Sequence, residues 1–506
     1  MSDPIVIVGA GPAGLRAAEQ LVRAGQRPVL IDEATRVGGQ IYRQPPAALQ
    51  RSRQALYGFE AGKAGALHDT FAALLPQIDY RPDSLVWQIE ANTLHLASVA
   101  STGASAVASG GAALTSASAQ RFSALILATG ATDRVLPFPG WTLPGVFTLG
   151  GAQVALKAQA CLIGPRVVFA GSGPLLYLVA WQYLQISANQ GAQVLAVLDA
   201  APPGAAWRAL PQLLARPEVL ARGAYYLARL RAAGVPVQHG VRLQRAQGDG
   251  RLESLTWQAG RRTVTTACDA LAFGHGLRPE TQLADLAGCA FDFDPSDQAW
   301  LPRRDGAGRS SVAGVYLAGD GAGILGADAA ELTGALAALT ALDDLRLQPA
   351  SASASASASA SASASASAST LTRRLTQQLQ RHRRFRAGLD QLSPPPDDWA
   401  ASVPDELIVC RCEEISAGEL RACVRDTGTR DINRLKALTR IGMGRCQGRM
   451  CAAAASRLLA DAAGSTLAQV GRLRGQAPVK PLPIRLLAEA LRGTAALPVP
   501  ADEADD

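Results

Sequence analysis

Aromatic residues are scarce in this chain of 506 residues and make up 5% of the sequence. Single-stranded nucleic acids are bound on aromatic side chains that stack with the bases, so such platforms are poorly supplied. The net charge of +7 comes mainly from arginine in an alanine-rich sequence, because lysine occurs at only four positions. No basic stripe is interleaved with aromatic residues, so we expect no nucleic-acid binding.

Long hydrophobic runs are also lacking. No apolar segment approaches the ~20 residues that a membrane-spanning helix requires. The N-terminus runs directly into a short apolar stretch, without the basic, apolar and small-residue regions of a secretory signal. We therefore expect no transmembrane segment and a cytoplasmic location.

Histidine is rare as well. The five histidines have neither metal-ligand nor catalytic-triad spacing, and they stand at positions 68, 95, 239, 275 and 382. His275 lies between Gly274 and Gly276, where a structural role in a turn is the simpler interpretation. The sequence therefore leaves the catalytic residues unknown.

A glycine-rich turn follows the first apolar stretch. Gly9, Gly11 and Gly14 lie between a predicted strand and a predicted helix that runs from about Pro12 to Ala24. In this context Gly9 allows a tight turn, Gly11 lets the backbone approach a pyrophosphate, and Gly14 lets helix and strand pack closely. Because the helix N-terminus faces the anion, the pattern predicts dinucleotide binding.

The same unit supplies further candidate contacts. Pro12 and Ala13 open the helix, and Asp32 ends the second strand 18 residues past Gly14. A carboxylate at that strand end can accept hydrogen bonds from ribose hydroxyls. Glu33 is the alternative carboxylate.

Later segments indicate by resemblance which dinucleotide is bound. Three of them resemble the FAD-binding segments of the glutathione and thioredoxin reductase superfamily: Gly38-Gly39-Gln40, Ala128-Thr129-Gly130 and Gly314-Val-Tyr-Leu-Ala-Gly319-Asp320. The resemblance implies that Asp320 holds the ribityl chain of FAD and that Thr129 and Gly130 pass its adenosine half. The superfamily's redox-active cysteine pair is missing, because no cysteine precedes Cys161, so we expect no disulfide reductase activity.

A second strand-turn-helix-strand unit spans residues 166–199. Its turn, Gly171-Ser-Gly173, has Leu176 where a third glycine is expected, which would hold the helix off the strand. Asp199 still ends the following strand, where a ribose-binding carboxylate would lie. Nicotinamide binding, another nucleotide and a scaffold without a ligand all remain open for this unit.

Four cysteines near the C-terminal end, Cys410, Cys412, Cys446 and Cys451, could hold a 2Fe-2S cluster, which requires four thiolates, two for each iron. Cys451 opens an alanine-rich helix whose N-terminal amides would stabilise an anionic cluster. Zinc is the alternative, although its four-cysteine sites usually have Cys-x₂₋₄-Cys spacing and only one residue separates Cys410 from Cys412. Free thiols are the third interpretation.

The segments 408–414 and 435–451 resemble the bacterioferritin-associated-ferredoxin-like 2Fe-2S domain. Together with residues 38–43 and 170–176, they resemble the α subunit of heteromeric dehydrogenases, a family that includes opine oxidases, dye-linked proline and hydroxyproline dehydrogenases and hydrogen cyanide synthase. The resemblance implies a partner β subunit of the amine-oxidase flavoprotein type, which oxidises a C–N bond. It also implies that the α subunit relays the electrons to a dye or a respiratory carrier.

We predict an α/β fold with tandem nested Rossmann-like FAD/NAD(P)-binding domains and a small helical 2Fe-2S domain. The predicted order is a discontinuous FAD-binding domain (1–135 and 277–347), a nested second nucleotide-type domain (136–276), a Ser-Ala linker (350–370), a basic helix with its connector (371–403), the 2Fe-2S domain (404–465) and a C-terminal strap and tail (466–506). Residues 97–119 are predicted to be an irregular excursion between strands.

These predictions describe the FAD and 2Fe-2S electron-transfer subunit of a heteromeric amino- or imino-acid dehydrogenase of the opine, proline or hydroxyproline type. Such a subunit passes electrons from a partner flavoprotein subunit to a non-nicotinamide acceptor. The alternative is a self-sufficient NAD(P)H-dependent flavin and iron-sulfur reductase. The sequence leaves open a second nucleotide, or an FMN at a subunit interface.

Overall fold

A computed structural model describes residues 3–46, 48–49, 51–98, 116–187, 191–347 and 358–494 of the chain. Across these ranges, no helix combines the length and the apolar character needed to cross a membrane.

The first segment contains a βαβ unit followed by a helical excursion and a three-stranded meander. Its elements are β1 (Ile5–Val8), α1 (Pro12–Arg23), β2 (Val29–Ile31), α2 (Arg53–Tyr57), α3 (Ala61–Leu74), β3 (Asp79–Arg81), β4 (Ser84–Glu90), β5 (Thr93–Ser98), β6 (Ser116–Arg121), β7 (Ala124–Leu127) and β8 (Ala131–Asp133).

The middle segment repeats the alternation of strand and helix and adds a second meander. Its elements are β9 (Val146–Thr148), α4 (Leu149–Ala158), β10 (Arg166–Ser172), α5 (Pro174–Ser187), β11 (Gln193–Asp199), α6 (Ala205–Leu213), α7 (Pro217–Ala232), β12 (Val237–His239), β13 (Val241–Gln247), β14 (Ser254–Ala259), β15 (Arg262–Ala267) and β16 (Ala270–His275).

The last segment returns to the first sheet and then becomes mainly helical. Its elements are β17 (Leu277–Pro279), α8 (Gln282–Leu286), β18 (Phe291–Asp294), β19 (Ala299–Pro302), β20 (Val315–Leu317), α9 (Ala327–Asp344), α10 (Ala358–Leu392), α11 (Trp399–Ser402), β21 (Ile408–Cys410), β22 (Ile415–Ser416), α12 (Ala417–Thr427), α13 (Ile432–Thr439), α14 (Ala452–Ala462) and α15 (Ile484–Thr494).

Two parallel sheets organise the chain. The first has the strand order β20-β7-β1-β2-β3, and the second has the order β12-β11-β10-β16-β9. All four residues of β1 are buried, as expected for a parallel strand covered on both faces. The carboxyl ends of β1, β2, β7 and β20 therefore meet at one edge, where ligands bind in such sheets.

The two sheets are nested as the sequence predicted. The first sheet takes β1, β2, β3 and β7 from before the second domain and β20 from after it. The short strands β8 and β17 pair antiparallel where the chain leaves the first domain and where it returns. The predicted fold class is confirmed.

The 2Fe-2S segment packs on the second nucleotide-type domain. One hydrophobic core contains Trp141, Phe273 and other residues of that domain together with Val409, Cys451, Leu458 and other residues of the C-terminal segment. The Trp141 Nε1 donates a hydrogen bond to the Ile408 carbonyl oxygen at 2.6 Å, close to Cys410 in the sequence. The cysteine region is thus part of a shared core.

Two segments differ from their prediction. Helix α10 begins at Ala358, so the second half of the predicted Ser-Ala linker is helical, while residues 350–357 lie outside the described residues. Alanine has the highest helix propensity, and extending an existing helix adds a hydrogen bond for each residue fixed. The predicted excursion at 97–119 includes the end of β5 and the start of β6, and its residues 99–115 lie outside the described ranges.

Candidate functional site

Two of the three glycines in the first glycine turn, Gly9 and Gly14, have no space for a side chain. Gly9 has a φ of +106°, and a Cβ there would lie 2.3 Å from the Ala128 carbonyl oxygen. A Cβ on Gly14 would lie 1.8 Å from the Gly9 carbonyl oxygen. Helix α1 begins at Pro12, and no side chain caps its N-terminus. Its first amides are thus available to an anion.

The separate FAD-like segments converge around the start of α1. A Cβ on Gly39 would lie 2.9 Å from the Gly11 Cα, and a Cβ on Gly319 would lie 3.0 Å from the Ala13 Cβ. A Cβ on Gly321 would lie 2.5 Å from the Thr129 hydroxyl oxygen. Segments far apart in the sequence therefore form one cradle of closely spaced glycine backbone, the kind of surface that an extended dinucleotide requires.

Asp32 is held by the backbone on both carboxylate oxygens. Oδ2 accepts a hydrogen bond from the Ala10 amide at 2.5 Å, and Oδ1 accepts one from the Ala34 amide at 2.7 Å. Burial raises the pKa of Asp32. The alternative carboxylate, Glu33, is exposed and forms an ion pair with Lys480. The position of Asp32 at the end of β2 suits a ribose better than that of Glu33.

Asp320 lies where the resemblance places the ribityl contact. Its Oδ1 accepts hydrogen bonds from the amides of Leu325 and Gly326, at 2.8 and 2.9 Å. Burial raises the pKa of Asp320. The Gly319 amide donates to the Thr333 hydroxyl at 2.8 Å, which ties this turn to α9. The other carboxylate oxygen, Oδ2, takes part in neither bond, so Asp320 can still accept from a hydroxyl, and the residues present fit FAD.

The loop after Asp32 is held from the second domain. Gln40 is exposed, and its Oε1 accepts a hydrogen bond from the Arg43 guanidinium at 2.7 Å. Lys157 on α4 is 2% exposed, and its Nζ donates to the Ile41 carbonyl oxygen at 2.8 Å. Burial lowers the pKa of Lys157 to about 7. Sequence reasoning missed Lys157, although a lysine inside an apolar helix was a usable signal.

In the second domain, the candidate ribose carboxylate already has partners. The Asp199 Oδ2 accepts a hydrogen bond from the Tyr177 hydroxyl at 2.5 Å and lies 3.5 Å from the His239 Nδ1. Its Oδ1 accepts from the Ala201 amide at 2.8 Å. Leu176 is fully buried in the domain core. These contacts hold Asp199 inside the protein and give no support to a second nucleotide.

A cavity of about 870 Å³ lies beside this turn, between the second domain and the connector that follows α10. Its lining includes Gly171, Arg242, His275 and Trp399. Burial lowers the pKa of His275 to about 4, so this imidazole is neutral near pH 7. The His275 Nδ1 lies 3.5 Å from the Ser172 hydroxyl, a contact between the ends of the paired strands β10 and β16 that gives His275 no catalytic role.

The four C-terminal cysteines meet in one place. Cys410 ends β21, Cys412 follows it in a turn, and Cys451 directly precedes α14. The Cys451 side chain interacts with those of Cys410 and Cys446, and the Cys446 side chain also interacts with that of Cys412, closely enough to shift the pKa values of these thiols. The structure thus brings together the predicted ligand set, whose sequence separation reaches 41 residues between Cys410 and Cys451.

The surroundings favour the thiolate form of two of these cysteines, Cys410 and Cys446. The interaction with the Cys451 side chain is the main cause that lowers the pKa of Cys410 to about 6 and that of Cys446 to about 5. The pKa of Cys451 is raised by the same contacts, and that of Cys412 is raised mainly by burial. Thiolates are the form that binds iron.

The backbone around the thiols is close-packed. A Cβ on Gly444 would lie 2.3 Å from the Cys412 Cβ, and one on Gly448 would lie 2.4 Å from the Leu473 Cδ2. As the side chains stand, no three Cys, His, Asp or Glu residues within the described ranges are grouped as a site for a single metal ion. Four adjacent thiols match in number and kind the ligands of a binuclear cluster, so the residues present fit 2Fe-2S.

One segment joins the two candidate sites. Arg278 on β17 donates hydrogen bonds to the carbonyl oxygens of Gly448 and Arg449, at 3.3 and 3.2 Å. Glu280 forms an ion pair with Arg449 at 2.6 Å, and its carbonyl oxygen accepts from the Thr129 hydroxyl at 2.6 Å. Sequence reasoning missed Arg278 and Glu280, because neither belongs to a motif.

Comparison with family models matches two parts of the chain. Residues 3–353 match the pyridine nucleotide-disulphide oxidoreductase family, and residues 408–461 match the BFD-like [2Fe-2S] binding domain. The second match contains all four candidate cluster ligands.

Curated relatives match almost the whole chain. The A subunit of opine oxidase from Agrobacterium tumefaciens (strain Ach5) is 37% identical, over 96% of this chain and 91% of the relative. Hydrogen cyanide synthase subunit HcnB of Pseudomonas aeruginosa is 33% identical, over 94% of this chain and 97% of the relative. Among solved structures, L-proline dehydrogenase from P. horikoshii is similar in fold, with a TM-score of 0.64, 19% identity, and coverage of 96% of this chain and 79% of that one.

Proposed function

The chain belongs to the pyridine nucleotide-disulphide oxidoreductase family, in the group that contains hydrogen cyanide synthase subunit HcnB and the A subunit of opine oxidase, and we propose that it transfers electrons. It is an FAD-dependent oxidoreductase subunit with a C-terminal 2Fe-2S domain. In the proposed role, electrons arrive from a partner flavoprotein and leave through the cluster domain to a non-nicotinamide acceptor.

The observation that carries this proposal is the docking of the cysteine loop on the flavin region. The loop between Cys446 and Cys451 contacts residues 278–282, which are hydrogen bonded to Thr129 and Gly130 of the second FAD-like segment. A cluster domain that served only to stabilise the fold would not need to lie against this segment.

The chain's residues have distinct parts in the proposed relay. Gly9, Gly11 and the start of α1 would hold the pyrophosphate, Asp32 the ribose and Asp320 the ribityl chain. Cys410, Cys412, Cys446 and Cys451 would ligate the irons. When bound, the FAD can take two electrons together, and a 2Fe-2S cluster passes them one at a time.

The substrate class follows from the relatives and remains a proposal. We assign the partner to the amine-oxidase flavoprotein type and the substrate to amino or imino acids, such as an opine, proline or hydroxyproline. Oxidation of CH–NH to C=N releases two electrons and two protons. Two successive one-electron transfers to a respiratory carrier or a dye balance the electrons, and the two protons pass to solvent or are taken up by the reduced acceptor.

Nicotinamide-dependent reduction is the competing function. The second nucleotide-type fold favours it, but Leu176 replaces the third glycine and Asp199 is engaged by Tyr177. We therefore expect NADH to leave the flavin oxidised under anaerobic conditions.

One anaerobic titration of the purified chain separates these functions. We expect FAD and two irons per chain, a binuclear-cluster EPR signal after dithionite, and no bleaching of the flavin by NADH. Proline, hydroxyproline and opines should not be dehydrogenated by the chain alone. Rapid bleaching by NADH would establish the competing function, and a colourless protein that contains zinc would overturn both.

A further inference from the structure

Three side chains of the segment 278–282 form hydrogen bonds with the 446–451 loop, whose ends are two of the candidate cluster cysteines. Arg278 donates to the Gly448 and Arg449 carbonyl oxygens at 3.3 and 3.2 Å, and Gln282 donates to the Gln447 carbonyl oxygen at 2.7 Å. Between them, Glu280 accepts from the Arg449 Nε at 2.6 Å. The residues that separate Cys446 from Cys451 are therefore anchored from outside the cluster domain.

The backbone of the same segment holds the flavin region. The Glu280 amide donates to the Gly130 carbonyl oxygen at 2.9 Å, and the Glu280 carbonyl oxygen accepts from the Thr129 hydroxyl at 2.6 Å. Glu280 thus contacts one candidate cofactor site through its main chain and the other through its carboxylate.

The ion pair is shielded from water. The side chains of Arg449 and Glu280 are 15% and 16% exposed, so solvent screens their attraction only weakly. Arg449 is oriented by two further acceptors, the carbonyl oxygens of Val479 at 2.8 Å and Cys446 at 3.3 Å. The guanidinium consequently has one well-defined position, beside a candidate iron ligand.

We propose that Glu280 is a positioning residue for electron transfer, which fixes the cluster loop relative to the flavin and balances the charge of Arg449 beside the cluster. The proposal rests on the proposed function, because it concerns the passage of electrons between the same two sites. Residues around a metal site that orient its ligands typically change affinity or activity by about 10- to 100-fold when they are replaced.

The test uses Glu280→Gln, which keeps the size of the side chain and removes its charge. With Arg449 no longer balanced, the reduced cluster is stabilised, and the midpoint potential of the cluster should become more positive in an EPR-monitored redox titration. Electron transfer from flavin to cluster, followed by stopped-flow absorbance after photoreduction, should slow by about tenfold or more.

A double variant separates charge from geometry. Glu280→Gln with Arg449→Gln removes both charges, so the midpoint potential should return towards that of the wild type. The rate of electron transfer from flavin to cluster should stay low, because the ion pair that holds the cluster loop is still missing. A residue with only a structural role would not produce this opposite behaviour of potential and rate.

Asp285→Asn is the matched control. Asp285 forms a two-point ion pair with Arg472 across the same interface, at 2.5 and 2.7 Å, but this pair includes neither a residue of the 446–451 loop nor one of the Thr129 turn. This variant should lower the thermal midpoint as much as Glu280→Gln does, while the potential and the transfer rate stay at wild-type values.

Each outcome decides one idea. An unchanged potential and rate in Glu280→Gln, with a wild-type protein that shows flavin-to-cluster transfer, would overturn the role of Glu280 and leave the proposed function standing. A wild-type protein in which photoreduced flavin never reduces the cluster would overturn the proposed function itself. Equal changes of the midpoint potential and the transfer rate in Glu280→Gln and Asp285→Asn would show that Glu280 serves only to dock the cluster domain, which would overturn the proposal.

Discussion

At Gly9, the addition of a single methyl group should prevent the binding of FAD. The added Cβ would lie 2.3 Å from a backbone oxygen, and the φ of +106° is strained for alanine. Gly9→Ala must therefore displace either β7 or the turn itself. We expect the purified variant to retain less FAD than the wild type, measured from the flavin absorbance of the denatured protein, and to bind added FAD at least about tenfold more weakly, since a loss of about 1.4 kcal/mol already weakens binding tenfold.

The matched control is Gly62→Ala on α3. Gly62 is exposed, and no atom lies within 4 Å of its added Cβ. Alanine in an exposed helix is more favourable than glycine by about 0.5–1 kcal/mol. This variant should bind FAD fully, and a Gly9→Ala protein with full FAD would disprove the cradle.

Lys157 should make stability depend on pH. Its pKa is lowered by burial from 10.5 to about 7, so below pH 7 the folded protein contains a buried charge. Between pH 7 and 10.5 the unfolded chain binds more protons than the folded one, and stability therefore rises with pH. Lys157→Met removes this dependence.

The measurement is the thermal midpoint of both proteins at pH 7 and pH 9. From the lower to the higher pH, the wild type should gain about 2 kcal/mol relative to Lys157→Met, because each pKa unit is worth about 1.4 kcal/mol. An equal change of the thermal midpoint between pH 7 and pH 9 in the two proteins would contradict the lowered pKa of Lys157.

The difference between Gly9 and Lys157 explains which site residues can be predicted from the sequence. Gly9 and Cys451 were predictable because their chemistry requires fixed residue types at fixed spacing. Lys157 and Glu280 act through backbone contacts between segments that are more than 100 residues apart, at 2.8 Å and 2.6 Å. No local pattern encodes such a contact, so only the folded chain reveals it.

Helices α1 and α9 approach each other through a glycine. A Cβ on Gly334 would lie 2.0 Å from the Ala13 carbonyl oxygen, so alanine there must push α9 away from α1. Overpacking of this kind costs about 1–3 kcal/mol. Because Thr333 also holds the Gly319 amide at 2.8 Å, the shift should reach Asp320. We expect Gly334→Ala to lower the thermal midpoint and weaken FAD binding together.

Gly223→Ala on α7 provides the comparison for this helix pair. The position is exposed and has open space around the added Cβ. It should raise the thermal midpoint slightly through helix propensity. If Gly334→Ala also raised the thermal midpoint and left FAD binding unchanged, α1 and α9 could not approach each other as closely as described.

Strands and helices of regular pattern were predicted well, and repetitive segments were not. The first helix was predicted from Pro12 to Ala24 and spans Pro12–Arg23. The Ser-Ala repeat at 350–370 was predicted to be a linker, yet α10 extends back to Ala358. A helix is extended more easily from an existing helical turn than it is started, whether or not the added residues are buried. The sequence of the repeat alone does not show that a helix follows it.

The arrangement of the whole chain couples the cluster domain to the second domain more closely than to the flavin. Trp141 is 2% exposed and donates to Ile408, and Trp399 is 7% exposed and donates to the Pro137 carbonyl oxygen at 2.8 Å. Both lie in the core that also contains Cys410 and Cys451. The flavin cradle lies on a different core, which contains Ala13 and Ala128.

Removal of iron should therefore affect the two halves unequally. Chelation under anaerobic, reducing conditions would leave four free thiols, of which those of Cys410 and Cys451 lie inside the shared core, and the contribution of metal binding to folding would be lost. We expect the thermal midpoint to fall by about several degrees and the tryptophan emission to shift to longer wavelength as Trp141 and Trp399 become hydrated, because losses of a few kcal/mol have this effect in domains of this size. The FAD should stay bound, since its cradle belongs to the other core, and its visible absorbance reports this in the same sample. Release of FAD in step with iron would instead mean that the contact between Glu280 and Arg449 makes the two sites a single cooperative unit.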